Sequence, residues 1–185
     1  MVIALLEKTI EVRDVTGKGK GLFALRMIKK GEHIFHNDLT RLQSYRLEEL
    51  HYHPLYEKYH DHSDYVGDGK YVIDISPVSY INHSCDPNCV VKMKTIKITD
   101  YYALSDIESG EELTHDYSLT SIDQFDGKGF WVLDCQCGSE KCRGKVTGDF
   151  FALDLEKQRK YYQNLPPSIL EKYKDKIKKL LAVDE

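Results

Sequence analysis

Seven polar or turn-forming residues in series, Asn82-His83-Ser84-Cys85-Asp86-Pro87-Asn88, interrupt an otherwise strand-like region of this chain. They follow the apolar run Tyr71 to Ile75 and precede a β-rich stretch, Cys89 to Leu104. A simple turn uses one or two such residues to set its dihedrals or bond its own backbone, not all of them together. The block therefore reads as part of a site rather than as a connection. Three further blocks stand out: Gly17-Lys18-Gly19-Lys20-Gly21-Leu22-Phe23-Ala24, Gly110-Glu111-Glu112-Leu113-Thr114-His115-Asp116-Tyr117, and the segment Cys135 to Gly144.

The patterning between these blocks is that of many short strands. Thr9 to Val15 alternates, with Ile10, Val12 and Val15 apolar, and predicts an opening strand. Gly17 to Gly21 is a basic glycine turn. Leu39, Leu42, Leu47 and Leu50 have helical spacing, and Asp38 stands where a cap belongs. His51 to Gly69 is polar, rich in His and Tyr, and without a clear period; it reads as an ordered insert. Val90 to Leu104 predicts two or three strands, and Ser118 to Gly129 a loop. Leu155 to Leu165 predicts a helix. After Pro166-Pro167, the capping-box pattern Ser168-Ile169-Leu170-Glu171 opens an apolar stripe of Ile169, Leu170, Tyr173, Ile177, Leu180 and Leu181. The expectation is a mainly β (α+β) domain with helices at its edges and end.

A chain of 185 residues accommodates one domain with a short appendage. No apolar run approaches the ~20 residues that span a bilayer, and Met1 to Leu6 ends too soon and lacks the basic leader of a signal peptide. An intracellular protein, cytoplasmic or nuclear, is expected. Three of the five cysteines crowd together as Cys135-x-Cys137-x4-Cys142, which in a reducing compartment points to thiolate ligation rather than disulfides. Of the 26 basic and 30 acidic side chains, eight and six respectively fall in residues 154–185, leaving 18 basic against 24 acidic in the body. An acidic body suits a cationic protein substrate and argues against a nucleic-acid partner.

In this order the four blocks resemble the SET-domain lysine methyltransferases with a zinc-binding post-SET tail, and the resemblance covers most of residues 8 to 150. It implies a β-clip fold of several small sheets with a pseudoknot that brings the segment ending at Tyr117 against Asn82-His83. It divides the chain into a SET domain over 8–117 with a variable insert at about 38–70, a linker and post-SET zinc region over 118–150, and a helical tail over 151–185. It implies transfer of a methyl group from S-adenosylmethionine to a lysine side chain in a protein, by a monomer that binds neither membrane nor nucleic acid. A catalytically weak SET-like module that binds lysine-bearing tails or serves as a scaffold is the alternative.

The resemblance also assigns roles. The cofactor's methionine end lies against Lys18, Gly19, Lys20, Gly21 and Leu22, where glycines let the backbone approach closely. Asn82 bonds the amino-acid end and the His83 main chain meets the adenine, with Tyr80 beside them in place of the family's usual residue. Tyr117 is the active-site phenol, and His115 occupies a position usually Phe or Tyr that sets how many methyl groups are added. Phe150, or alternatively Phe151 or Trp131, covers the cofactor or the channel; Tyr65, by its place in the insert alone, is a further candidate to face the lysine channel. Zinc needs four thiolates or imidazoles; Cys135, Cys137 and Cys142 supply three. Cys85 or Cys89 can complete the set, and the resemblance implies Cys85. Lysine reacts only as the neutral amine, and its solution pKa is ~10.4, so a dry apolar channel assists its deprotonation.

Overall fold

The computed structural model describes residues 9–120 and 130–182; Met1 to Leu6 and most of the Ser118–Gly129 loop lie outside them. Strands β1 (Ile10–Val15) and β2 (Gly19–Ala24) form a hairpin whose register pairs Val15 with Gly19. Its turn requires a left-handed residue, and Gly17 supplies it at φ 80° without a Cβ clash.

Strand β3 (His33–Asp38) leads into the insert. The helix expected from Leu39 to Leu50 does not form as one piece. Asp38 does cap, accepting from the Thr40 N–H at 2.9 Å, but only a single 3-10 turn, Leu39–Arg41, follows. The chain then extends as β4 (Tyr45–Arg46) before the one-turn helix α1 (Leu47–Leu50). Tertiary pairing overrides the spacing here, because Tyr45 and Arg46 are drawn out to pair with β6 (Lys70–Ile73). Leu39 meanwhile packs with Val66 and Val72. After a second one-turn helix, α2 (Tyr56–Tyr59), β5 (Ser63–Gly67) joins the other edge of β6, giving the order β4-β6-β5.

The Asn82-His83 pair is a two-residue strand, β7. β8 (Cys89–Thr95) and β9 (Ile98–Ala103) form a hairpin that extends β3 into a three-stranded sheet, so the stretch from Val90 holds two strands. β10 (Glu112–His115) then enters between β2 and β7. It runs antiparallel to β2, pairing Leu113 with Leu22, and parallel to β7, pairing Thr114 with Asn82 and His115 with His83. A parallel pair cannot be closed by a short turn. The chain between β7 and β10 therefore loops away through the β8–β9 hairpin before returning.

One core lies under these sheets. Leu22, Ile28, Ile107 and Leu113 are fully buried there, with Phe35, Ile81, Val91 and Tyr101 around them. β11 (Val132–Asp134) and β12 (Lys145–Thr147) form a ribbon flanking the cysteine segment. The tail folds as α3 (Leu155–Tyr161), α4 (Pro167–Lys172) and α5 (Lys174–Leu181). α4 begins at Pro167 rather than at a Ser168 cap, since proline at the first helical position is pre-set to helical φ. The apolar stripe breaks at Tyr173, and Leu181 stays exposed. Leu119, Phe150, Leu153, Leu165 and Ile169 make a second core that fixes the tail to the end of the β10 segment. Among the described residues, no helix is long and apolar enough to cross a membrane.

Leu113 lies where β10 meets the core, and truncation leaves a cavity beside Leu22. Leu113→Ala is expected to lower stability by about 2–5 kcal/mol, read from the urea midpoint at unchanged slope.

Candidate active site

Most residues of the Asn82–Asn88 block make side-chain bonds, several of them to other elements. The Asn82 amide donates to the Lys20 carbonyl at 2.9 Å and to Glu112 Oε1 at 2.7 Å, which commits both of its protons and leaves Oδ1 as an acceptor. Asn88 stands in for a strand along β10: its amide donates to the Glu112 carbonyl at 2.8 Å, and its Oδ1 accepts from the Thr114 N–H at 2.9 Å. Ser84 Oγ accepts from the Asp86 N–H, and Asp86 pairs with Lys141 at 3.0 Å. A series of seven polar residues is thus a hub between β2, β10 and the cysteine segment.

His83 and Cys85 continue the pattern. The Tyr117 N–H donates to His83 Nδ1 at 3.2 Å, so the ring proton sits on Nε2, which is 3.3 Å from Cys85 Sγ. Burial holds this imidazole below its usual range and keeps it neutral. Cys85 faces Cys135, Cys137 and Cys142, and all four sulfur atoms lie within 4.8 Å of one another. The Cys85–Cys135 separation of 3.7 Å matches the edge of about 3.8 Å expected of a tetrahedron with ~2.3 Å zinc–sulfur bonds. Cys89 takes no part: it is fully buried in the main core, and burial pushes its thiol up to about 12. The four thiols fit a structural metal ion.

Arg143, within the cysteine segment, makes a bidentate pair with buried Asp116 at 2.8 and 2.7 Å. Asp116 also accepts from the Ser118 N–H. This clamp holds the cysteine segment against the end of β10 with the geometric definition that a guanidinium fork allows.

Two cavities meet at Tyr117. The first, about 170 Å³, is lined by Lys18, Asn82, His83, Tyr117, Cys135 and Val146, among others. Lys18 pairs with Glu112 Oε2 at 3.3 Å, so the polar end of this cavity presents an ammonium beside the free Asn82 oxygen. The second, about 200 Å³, lies on the other side of the phenol, where His62, Tyr65, Asp74, Tyr101, His115 and Trp131 contribute to its wall. The Tyr117 hydroxyl donates to the Ile81 carbonyl at 3.0 Å. Burial, reinforced by the charges of Asp64 and Glu112, pushes this phenol up to about 12. It is a fixed O–H dipole rather than a base.

His115 is the odd member. It is 6% exposed, its Nδ1 has no partner, and burial drives its pKa down to about 3. Its ring packs against Tyr101 and Tyr117.

Other expected site residues are placed differently. Gly21 does allow close approach, but of Glu112 and Asn82: a Cβ there would lie 2.6 Å from Glu112 Oε1 and 3.1 Å from Asn82 Nδ2. Leu22 is fully buried in the main core, and Gly19, Lys20 and Tyr80 lie outside the lining of the first cavity. The Tyr80 ring stacks edge-on with His62 instead. Phe150 is not brought to either cavity; it is fully buried in the second core, while Leu133 and Val146 of the ribbon form the apolar wall beside the thiols. Phe151 packs against Tyr173, and Trp131 lines the second cavity. Sequence reasoning missed Glu112, which ties Lys18 to Asn82, and the Arg143–Asp116 clamp. A carboxylate inside a strand motif, and an arginine beside a cysteine trio, were the available signals.

The buried neutral His115 carries a consequence for acid stability. Above the usual imidazole value of 6.5 it is neutral folded or unfolded. Below that, the unfolded chain gains a proton that the folded chain refuses until about pH 3. Stability is therefore intact above pH 6.5 and is lost, by up to about 1.4 kcal/mol per pH unit from this group, as pH falls toward 3. His115→Phe is expected to flatten that slope in urea melts compared across this range; an unchanged slope would contradict the burial argument.

The SET domain family model matches residues 19–118. Over 138 residues the chain is 34% identical to histone-lysine N-methyltransferase set-2 of Caenorhabditis elegans, covering 70% of this chain and 9% of that protein. It is 29% identical over 142 residues to histone-lysine N-methyltransferase ASHH2 of Arabidopsis thaliana, covering 71% and 8%. To histone-lysine N-methyltransferase trithorax of Drosophila virilis it is 31% identical over 138 residues, covering 68% and 3%. The chain spans less than a tenth of the length of these relatives. The family match takes in more than half of the sequence and all of β2 through the Tyr117 turn, and this chain belongs to the SET domain family.

Proposed function

We propose that this chain transfers a methyl group from S-adenosylmethionine to the side-chain amine of a lysine in a protein, a histone or another basic protein. The observation that carries the reading is that one phenol, Tyr117, lines two separate cavities. A two-substrate transfer needs two compartments with a shared wall, and a simple binding module does not.

S-adenosylmethionine supplies a methyl group activated by a sulfonium. The first cavity has the chemistry to hold it: Lys18 for the carboxylate and Asn82 Oδ1 for the ammonium of its amino-acid end, with Leu133 and Val146 offering apolar surface. Glu112 orients both polar groups, through 3.3 Å to Lys18 and 2.7 Å to Asn82. The second cavity receives the lysine. Its inner wall of Val78, Ile81, Tyr101 and Tyr117 disfavours an ammonium and so favours the nucleophilic amine. The Tyr117 hydroxyl and Ile81 carbonyl, already bonded to each other, fix the polar features the amine meets. Neutral His115 adds an unpartnered ring nitrogen to that wall. Catalysis is then chiefly alignment and exclusion of water.

Zinc bound by Cys85, Cys135, Cys137 and Cys142 would serve structure. It would join the block carrying Asn82 to the segment whose ribbon walls the first cavity. On this reading residues 8–117 are the SET domain with its insert at about 38–70, residues 118–150 the linker and zinc region, and residues 151–185 the helical tail. The protein acts as a monomer on chromatin or a comparable basic protein, without itself binding nucleic acid.

The test is calorimetry with S-adenosylmethionine, followed by mass spectrometry of basic proteins incubated with the enzyme and labelled cofactor. Asn82→Ala is expected to weaken cofactor binding about tenfold, and Tyr117→Phe to slow transfer by roughly a hundredfold at similar cofactor affinity. No heat of binding at saturating cofactor would instead leave a scaffold. Separately, metal analysis of purified protein should find one zinc per chain. Cys137→Ser should lose it and expose residues 130–146 to protease; full zinc content in that variant would remove Cys137 from the ligand set.

A further inference from the structure

Among the described residues, the second cavity is lined by three carboxylates, Asp61, Asp64 and Asp74, and by no lysine or arginine. Asp74 is satisfied internally: it is buried and accepts from the Ser76 N–H at 2.8 Å and the Ser76 hydroxyl at 3.0 Å, with the Asn37 amide at 3.5 Å. Asp61, an exposed residue, pairs with His60 at 3.3 Å. Asp64, on β5, is different. Among the described residues its carboxylate has neither a hydrogen bond nor a cationic partner. Surrounding protein and the Asp74 charge both push its carboxyl upward, a push that its exposure to water moderates. Its field nonetheless extends to the Tyr117 phenol.

A second feature marks this cavity as shaped for a ligand. His115, nine-tenths buried, lines it with a ring nitrogen that has no partner among the described residues. A buried polar atom left unsatisfied destabilises the free protein, and a bound hydrogen-bonding group would relieve that. The reacting amine fits that need at the inner wall. It cannot also satisfy Asp64, because it must be neutral to react, whereas an exposed carboxylate is complementary to a cation that stays charged. Of the protein side chains, arginine stays charged at any working pH and meets a carboxylate through a two-pronged contact.

We propose that Asp64, with Asp61 beside it on the cavity rim, selects substrates in which an arginine flanks the target lysine. This rests on the methyltransferase reading of the site and names a specificity determinant within it. Glu11 and Asp14, by contrast, are carboxylates of the β1–β2 hairpin that pair with Arg13 and Lys20 of this chain, so they carry no such demand.

The experiment compares kcat/KM for matched peptides with one lysine flanked by arginine, by alanine or by glutamate. The wild type is expected to prefer arginine over alanine by roughly tenfold, the size of one charge-assisted contact, and to reject glutamate. Asp64→Asn should bring the arginine-to-alanine ratio to near one, and Asp64→Glu should restore most of it. Asp61→Asn should reduce the ratio in part. Cofactor binding by calorimetry, run on each variant, establishes that the protein is folded. Transfer to all three peptides at equal efficiency, or an unchanged ratio in Asp64→Asn, overturns the inference alone. A wild type that binds S-adenosylmethionine yet methylates none of the peptides overturns the methyltransferase reading, and this inference with it.

Discussion

The structure depends on β10 being held on both edges at once. On one side it completes the hairpin sheet through Leu113 and Leu22; on the other it lies parallel to Asn82-His83. The parallel contact is only two residues long, too little to hold by ladder hydrogen bonds alone. Side chains supply the rest. Asn88 bonds the β10 backbone twice, Asn82 reaches Glu112, and the Tyr117 N–H is received by His83. Two of these contacts, Asn82 to Glu112 and the Tyr117 N–H to His83, also hold residues that line the first cavity, so part of what holds the crossing also shapes the site.

This explains why some features were legible in the sequence and others were not. The Asn82–Asn88 block was conspicuous because so many hydrogen-bonding side chains in series have no place in a turn, and six of its seven residues make a side-chain hydrogen bond or ion pair or join the thiol cluster. The cysteine trio was equally plain, and its fourth member followed from the same block. The small-sheet architecture could be read from short alternating runs. What periodicity misread was the region after Asp38, where leucines at helical spacing are divided between a 3-10 turn and a separate one-turn helix, because pairing of Tyr45 with Tyr71 outweighs a weak local preference.

The site itself was legible in part. Tyr117, Asn82 and His83 come together at the cavities, and the thiols gather around Cys85. An aromatic after a metal segment looks the same in sequence whether it faces a ligand or a hydrophobic core, and Phe150 stands in the second core with Leu119, Leu153, Leu165 and Ile169. Gly21 was read as clearance for a ligand and proves to be clearance for Asn82 and Glu112. Glu112 carried only the weak signal of a carboxylate inside a strand motif, and Asp64 carried none, since a carboxylate announces its role mainly through what stands, or fails to stand, beside it.

Lys18 and Val146 line one cavity while lying near opposite ends of the folded sequence. Contacts between such distant segments form late, after the entropy of closing long loops has been overcome. A nascent chain emerging from a ribosome can thus complete the sheets and the main core well before the thiols of its later segment reach Cys85. Until they do, the cavity beside Asn82 lacks the wall that Cys135, Cys137 and Val146 provide, and the order of synthesis makes that wall the last part of it to close.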